Sequence, residues 1–324
     1  MACEEYLMNI SSEPTVMLWK NDRAVIIGKN QNAEETVNFD YTQKNGIAVV
    51  RRLTGGGAVF HDLGNINYTF IMPKALSPEN FSEFSRPVIE ALDGIGITAE
   101  CSGRNDITVN GKKISGTARC EYRGKAGDVI MHHGTLLFSA NMDELSAALK
   151  TDEAKIRSKG IKSVSARVAN IKEFLPQKFS EMTASDLVSY LESYFVASGA
   201  EKRTLSESEK KEISALAKEK YRTERWRIRA GADDFDVVRK ARFPFGTVCV
   251  SISCLAGKVG EKATVRAARI EGDFFGDGDV SVIEDALVGA EFSRTAFVAV
   301  LQKTAVEKYI RGATPEDIAA LIFG

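Results

Sequence analysis

The chain has 324 residues, of which 44% are apolar and 27% charged, and its formal net charge is −1. This length fits one or two domains of a soluble globular protein, and the near-zero charge gives no bulk attraction to nucleic acid or to a membrane surface. No apolar run approaches the ~20 residues of a membrane span, and MACEEYLMNI lacks the basic region of a secretory signal. The five cysteines form no CxxC pair and only three histidines are present, which argues against disulfides and structural zinc and favours a cytoplasmic protein.

Residues 15 to about 140 are predicted mostly as strands. TVMLWK and AVIIG are short apolar runs, and Asn21–Asp22 between them predicts a hairpin. Ser77–Pro78 predicts the start of a helix, which Pro87 would kink or restart. Asn110–Gly111 predicts a second hairpin, and HHGTLLFSA predicts a strand that begins at its two histidines.

The rest of the chain is predicted as helices, then strands, then helices again. Helices are expected at residues 142–150, 184–198 and 206–221. The composition changes after Tyr221, where three strand-like runs precede two or three short helices, the last starting at Thr314–Pro315. Strands followed by helices predict an α+β unit of about 100 residues at the carboxyl end.

Three consecutive glycines follow two arginines in RRLTGGGAVFHDLGN, at residues 51 to 65. The spacing differs from that of a dinucleotide fingerprint and of a P-loop. Glycines leave the backbone without a Cβ wall, so ligand atoms can lie against the main chain and N–H groups can face an anion. Strand neighbours point to opposite faces, so only one of Arg51 and Arg52 is expected to reach such a site. A glycine-rich hairpin with solvated arginines is the alternative.

A second loop of small residues occurs in GRNDITVNGKKISGTA, at residues 103 to 118. Lys113 precedes its small-residue turn and is placed to act as a point charge on a phosphate or a developing oxyanion. Lys112 is expected to point the other way, into solvent, and an ordinary surface lysine is the alternative for Lys113 as well. For His132 and His133, the plain interpretation is one exposed histidine and one buried, hydrogen-bonded histidine.

Five blocks follow one another over about residues 1 to 175: RRLTGGGAVFHDLGN, SGRNDI, KKISGTA, HHGTLL and SKGIKSVSARVANI. Together they resemble the lipoate–protein ligase A family, and RFPFGTV and GDFFG resemble that family's accessory domain. The GRGRxGR-type loop of a biotin ligase is absent. The resemblance implies an α+β fold, with a mixed or antiparallel-sheet catalytic domain of the biotin/lipoate ligase type at residues 1–224. A small α+β accessory domain is expected at residues 225–324.

The resemblance also implies a reaction. An ATP-dependent ligase would activate lipoate as lipoyl-AMP, release pyrophosphate, and transfer the lipoyl group to a lysine of an apo carrier domain. The implied carriers are acyltransferase subunits of 2-oxoacid dehydrogenases, the glycine-cleavage H protein, or both. Because the lipoate carboxylate and the ATP α-phosphate repel each other, cations and a metal are required, and ATP and Mg²⁺ are the expected cofactors.

Roles for individual residues follow from the resemblance. Lys113, in KISG, is expected to be catalytic and to hold the α-phosphate and carboxyl oxygens, while Asp106 is the candidate ligand of Mg²⁺. The residues assigned to binding lipoate and ATP are Arg51, Arg52, Gly55, Gly56, Gly57, Ala58, Val59, Lys113 and His133.

Two alternatives stay open at this stage. One is a transferase that carries octanoyl or lipoyl groups on a cysteine thioester, and the other is a non-catalytic lipoate-binding homologue. Related transferases have a nucleophilic cysteine just after GRN, where this chain has Asp106, and Cys101 has no evident basic partner. The family usually continues upstream of MACEEYLM with a strand and the start of a helix. We therefore expect a misassigned start codon or a trimmed member that lacks an edge strand.

Overall fold

The computed structural model describes residues 1–103, 105–150, 167–229, 234–256 and 262–324. Three parts of the sequence motifs lie outside the described residues. They are Arg104 of GRND, most of SKGIKSVSARVANI, and four residues of the stretch ERWRIRAGADDF.

Strands dominate the chain up to residue 137. In chain order they are β1 (Thr15–Trp19), β2 (Ala24–Ile27), β3 (Ala48–Arg51), β4 (Val59–His61), β5 (Asn65–Pro73), β6 (Glu100–Ser102), β7 (Asp106–Val109), β8 (Lys112–Gly124) and β9 (Gly127–Leu137). An antiparallel sheet has the order β1-β5-β9-β8-β7-β6, and a second sheet has the order β3-β2-β4. Ala48 N–H bonds to Arg23 O and Arg52 N–H bonds to Ile27 O, so β3 runs parallel to β2, whereas β4 is antiparallel to it. The predicted mixed and antiparallel sheets are confirmed.

The two predicted hairpins have different outcomes. The hairpin of TVMLWK and AVIIG is wrong, because β1 pairs with β5 and β2 pairs with β4, in different sheets. All four residues of β2 are buried, so that strand requires cover on both faces, which a two-stranded hairpin cannot provide. The hairpin at Asn110–Gly111 is confirmed: both residues have positive φ, 50° and 73°, as a type I′ turn requires.

Helices cover both faces of the six-stranded sheet. Those before residue 228 are α1 (Ala2–Ile10), α2 (Ala33–Thr36), α3 (Phe39–Lys44), α4 (Phe81–Gly94), α5 (Met142–Ala148), α6 (Ala184–Ala197), α7 (Glu207–Leu216) and α8 (Glu224–Arg227), with a π-helical turn at Ala217–Tyr221. Thr69 of β5 bonds to Glu4 of α1, whereas Tyr68 belongs to the apolar core that α4 and α6 share with the sheet. Adjacent strand residues face opposite ways, so α1 lies on one face and α4 and α6 on the other.

Helix α4 begins later than the sequence suggests. The side chain of Asn80 accepts from Glu83 N–H and caps the helix, while Ser77 Oγ bonds to Pro78 O instead. The helix continues past Pro87, so the predicted restart does not occur. Among the described residues, no helix combines the length and apolar character needed to cross a membrane.

The chain forms two compact units. Unit 1 comprises residues 1–26, 34–50 and 59–227, and unit 2 comprises residues 27–33, 51–58 and 228–324. In unit 2, an antiparallel sheet contains β10 (Val237–Phe243), β11 (Gly246–Leu255) and β12 (Thr264–Gly272), followed by α9 (Ser281–Leu287), α10 (Arg294–Lys303), α11 (Val306–Tyr309) and α12 (Pro315–Phe323).

The strand and helix predictions for this region are largely confirmed, although four helices follow the strands instead of two or three. Thr314 and Asp317 form the capping box of α12, with Pro315 at its start. Val248, Val250 and Ile252 of β11 pack with these helices in the core of unit 2.

Candidate active site

Lys113 lies at the start of β8, just after the type I′ turn. Its register partner is Thr108, but Ile107 pairs with Ser115, so Ile114 is the extra residue of a bulge. The backbone N–H and C=O of Lys113 also form hydrogen bonds, on the other side of the strand. Lys113 N–H donates to Arg167 O at 2.8 Å, and Ala169 N–H donates to Lys113 O at 2.9 Å. The described end of the block SKGIKSVSARVANI is thus joined directly to KISG.

The ammonium group of Lys113 forms an ion pair with Asp106. Nζ lies 2.7 Å from Asp106 Oδ1, and both side chains are about one-third exposed, at 34% and 36%. Lys112 is half-exposed and lies 4.0 Å from Glu173, so the prediction that the two lysines point apart is confirmed. The candidate catalytic cation and the candidate metal ligand are therefore in contact with each other.

The two histidines occupy the middle of β9, not its start, because β9 begins at Gly127. Both are buried, so the interpretation of one exposed and one buried histidine is wrong. The reason is the position of β9, between β5 and β8 in a sheet with helices on both faces. His132 stacks on Phe84, with ring centroids 4.7 Å apart, and burial lowers its pKa to about 3.

His133 belongs to a buried polar network that the sequence analysis did not predict. Its Nδ1 lies 2.8 Å from Glu4 Oε1, which also accepts from Thr69 Oγ1, and Trp19 Nε1 donates to Thr69 Oγ1. Burial opposes ionisation of Glu4, but the charges of His133 and the amino terminus and the hydrogen bonds from His133 and Thr69 lower its pKa to about 2. Helical spacing was the available signal, since it puts Glu4 on one face with Leu7 and Met8.

The paired arginines lie in unit 2 and are both buried, so the alternative of solvated arginines is wrong. Arg51 Nη1 donates to the carbonyl oxygens of Gly28, Lys29 and Gln31, at 2.6 to 3.0 Å. Burial, and then the nearby charge of Arg229, lower the pKa of Arg51 to about 10. The guanidinium groups thus organise backbone turns of unit 2.

Arg52 acts on the glycine loop itself, residues 52–58. Its Nη2 donates to Gly55 O at 2.6 Å and to Gly57 O at 2.8 Å, and its Nε donates to Thr54 Oγ1. One planar cation therefore holds both ends of the triple glycine.

The three glycines serve different purposes. A Cβ at Gly55 would overlap Phe274 O, and Gly56 has φ +89° with the Phe275 ring 2.8 Å from the position of a Cβ. Gly56 N–H donates to Phe274 O at 3.1 Å. Gly57 is exposed, and nothing lies within 4 Å of its Cβ position. The GDFFG stretch thus occupies the space at Gly55 and Gly56, and only Gly57 is open.

In the structure, the residues predicted for the site fall into three groups. Lys113 and Asp106 form one group and His133 lies with Glu4, both in unit 1, where Val59 begins β4. Arg51, Arg52, Gly55, Gly56, Gly57 and Ala58 all belong to unit 2. In the described part of the chain, no three His, Cys, Asp or Glu side chains are grouped to hold a metal. The thiol of Cys101 is partly buried, which raises its pKa.

Comparison with known proteins shows the family of the chain. The family described as lipoyl protein ligase A/B catalytic domain matches residues 1–196, and the bacterial lipoate protein ligase C-terminus matches residues 232–322. The lipoate-protein ligase LplJ of Bacillus subtilis is 40% identical over 327 residues, covering 100% of this chain and 96% of that protein. The chain therefore belongs to the lipoate–protein ligase family and is an enzyme of the ligase class.

Three solved structures are also similar. P. falciparum LipL1 in complex with lipoate has a TM-score of 0.69 and 27% identity, covering 92% of this chain and 85% of that one. A bi-partite lipoate protein ligase with its E2 lipoyl domain, from Thermoplasma acidophilum, has a TM-score of 0.59 and 31% identity, covering 72% and 92%. A lipoate-protein ligase A bound with ATP has a TM-score of 0.56 and 29% identity, covering 70% and 92%.

Proposed function

We propose that this enzyme joins lipoate to ATP as lipoyl-AMP, releases pyrophosphate, and transfers the lipoyl group to a lysine amine of an apo carrier domain. The observation that carries the proposal is the Lys113–Asp106 ion pair on the β7–β8 hairpin. In this pair, Asp106 positions the Lys113 ammonium group, which is partly exposed and can contact a substrate. The relatives bound to lipoate and to ATP support the same substrates here.

In the first step, the lipoate carboxylate attacks the α-phosphorus and the bond to pyrophosphate breaks. Two anions must approach each other, and at about 4 Å their repulsion is about 4 kcal/mol at an effective dielectric constant of 20. The Lys113 ammonium offsets this repulsion because it can contact oxygens of both groups. Its backbone is fixed by Arg167 and Ala169, so little reorganisation is needed when charge develops.

Asp106 suits a magnesium ion that is bound mainly by phosphate oxygens, since such ions use only one or two protein carboxylates. Asp106 is partly exposed, which fits that arrangement, although Lys113 already faces its Oδ1. When bound, Mg²⁺ would neutralise phosphate charge and favour departure of pyrophosphate. Asp106 would then have two tasks, orienting Lys113 and holding the metal.

The binding set proposed for lipoate and ATP consists of Arg51, Arg52, Gly55, Gly56, Gly57, Ala58, Val59, Lys113 and His133. Within it, Gly57 offers open main chain, and Arg52 shapes the loop through the carbonyls of Gly55 and Gly57. His133 contributes through the buried network with Glu4.

We place the catalytic domain at residues 1–224 and the accessory domain at residues 225–324, a division that agrees with the two family matches. The proposed carriers are acyltransferase subunits of 2-oxoacid dehydrogenases, the H protein, or both. The Thermoplasma acidophilum ligase, studied with its E2 lipoyl domain, supports the first. A cytoplasmic location stays a prediction.

The test is to incubate the protein with ATP, Mg²⁺, lipoate and each apo carrier, and to follow carrier mass and pyrophosphate. We expect a lipoyl mass increase that depends on ATP and one pyrophosphate per transfer. Acyl transfer from an acylated carrier without ATP would favour the cysteine transferase. Lipoate binding without either product would favour the non-catalytic homologue.

A further inference from the structure

The end of the Lys113 side chain lies over Gly116, three residues further along the same strand. A Cβ built on Gly116 would lie 2.8 Å from Lys113 Nζ and 3.0 Å from its Cε. Real Cβ atoms almost never come within 3.0 Å of another heavy atom, so any side chain at 116 would displace the ammonium group. The register explains this closeness, because Gly116 pairs with Asp106, the ion-pair partner of Lys113.

The backbone at 116 does not itself need glycine. Gly116 is absent from the glycines with positive φ, and it lies within β8. The atoms that a Cβ would meet belong to the far end of a flexible side chain. Alanine at this position should therefore change the free energy of unfolding little. The presence of glycine must have a reason other than backbone conformation.

We infer that Gly116 is a positioning residue for the adenylation step: the space over it keeps the Lys113 ammonium on Asp106 and in place for the reacting oxygens. This inference rests on the proposed function. A methyl group at 116 would leave the charge of Lys113 unchanged but displace it, because a Cβ there would lie 2.8 Å from Nζ. Misplacement of a catalytic group by about 1 Å can reduce the rate by about 10²-fold without removing the group.

The first test reports on the position of the Lys113 ammonium group and does not depend on an activity assay. Lysine labelling by a small acylating reagent, read by mass spectrometry, compares Lys113 with Lys112 as the internal reference. We expect Gly116→Ala to raise labelling of Lys113 relative to Lys112, as Asp106→Asn also should by removing the ion-pair partner. Unchanged relative labelling in Gly116→Ala would overturn the inference.

The second test is a double-mutant cycle on lipoyl-adenylate formation. Gly116→Ala should lower kcat measurably, by up to about 100-fold, with little change in the KM for lipoate, and with Tm equal to the wild type or slightly higher. In a Lys113→Ala background, the same substitution should change the residual rate less than twofold, because the atom that it displaces is gone. Equal losses in both backgrounds would show that Gly116 acts independently of Lys113.

Failures of the two proposals are distinguishable. A wild-type protein that forms no lipoyl-adenylate would reject the proposed function, and the labelling result would still decide whether Gly116 positions Lys113. An active wild type with an equally active, unchanged Gly116→Ala variant would reject the positioning role alone.

Discussion

The backbone N–H of Gly56 donates a hydrogen bond to the carbonyl oxygen of Phe274, 3.1 Å away. The N–H group that a glycine loop could present to an anion is therefore already paired at this position. A phosphate that used Gly56 would have to displace Phe274. The neighbouring Gly57 faces open space and is the better candidate for ligand contact.

Gly56 and Gly57 should consequently respond differently to alanine. Gly56→Ala should lower the free energy of unfolding by about 1–2 kcal/mol, because φ +89° is strained for a residue with a Cβ, and contact with Phe275 adds to this. Gly57→Ala should leave Tm unchanged and weaken binding of lipoate or ATP, because the open main chain at Gly57 belongs to the proposed binding set. Thermal denaturation and calorimetric titration check both. Normal affinities in Gly57→Ala would remove that residue from the binding set.

The adjacent lysines provide a matched pair. Lys113→Ala should reduce lipoyl-adenylate formation by ~10² or more, the scale seen when one electrostatic stabiliser is removed. Lys112→Ala removes an equal charge from a half-exposed side chain near Glu173 and should be nearly silent. ATP–pyrophosphate exchange measures both variants. Similar losses in the two would contradict the assignment of Lys113.

A substitution of Cys101 distinguishes the proposed ligase from a transferase that uses a cysteine thioester. Its partly buried thiol has a raised pKa, which disfavours the thiolate that a nucleophile needs. Cys101→Ala should keep ATP-dependent lipoylation near the wild-type rate, whereas Asp106→Ala should impair the metal-dependent first step. A protein-bound thioester recovered from the wild type, and lost in Cys101→Ala, would reverse this conclusion.

His132 predicts a pH dependence of stability. Burial lowers its folded-state pKa to about 3, below the ordinary value of 6.5. As the pH falls below 6.5, the unfolded chain gains a proton that the folded chain does not take up. The free energy of unfolding should therefore fall by up to about 1.4 kcal/mol per pH unit until the folded-state value is reached.

His132→Phe should reduce this slope between pH 6.5 and 5, because phenylalanine can keep the stacking on Phe84 without a titratable group. Urea unfolding at several pH values measures it. Glu4 should act at lower pH: its pKa is lowered to about 2, so its contribution is present above 4.5 and is lost as the pH falls from there towards 2. A slope in His132→Phe equal to that of the wild type would contradict the role of His132.

Local signals in the sequence predicted much of the fold. The turn at Asn110–Gly111 and the cap at Thr314 were predicted because each is satisfied by residues within three positions. The small-residue turn made Lys113 a candidate and the family resemblance made Asp106 one, and both roles stay predictions. Partner choice was predicted wrongly: β1 and β2 are neighbours in sequence but pair in different sheets, and all four residues of β2 are buried in its sheet.

By itself, the sequence determined most strand and helix segments and the glycine loop, since residue type and spacing decide these over a few positions. The ion pair between Lys113 and Asp106 came from the structure. Only the tertiary structure decided that Glu4 contacts His133, that Phe274 contacts Gly56, and that the end of the Lys113 side chain lies over Gly116. The first two contacts join residues more than 100 positions apart, and the third depends on a bulge. Such contacts arise from strand register and from the packing of whole helices and strands, so the local spacing of residues in the sequence does not predict them.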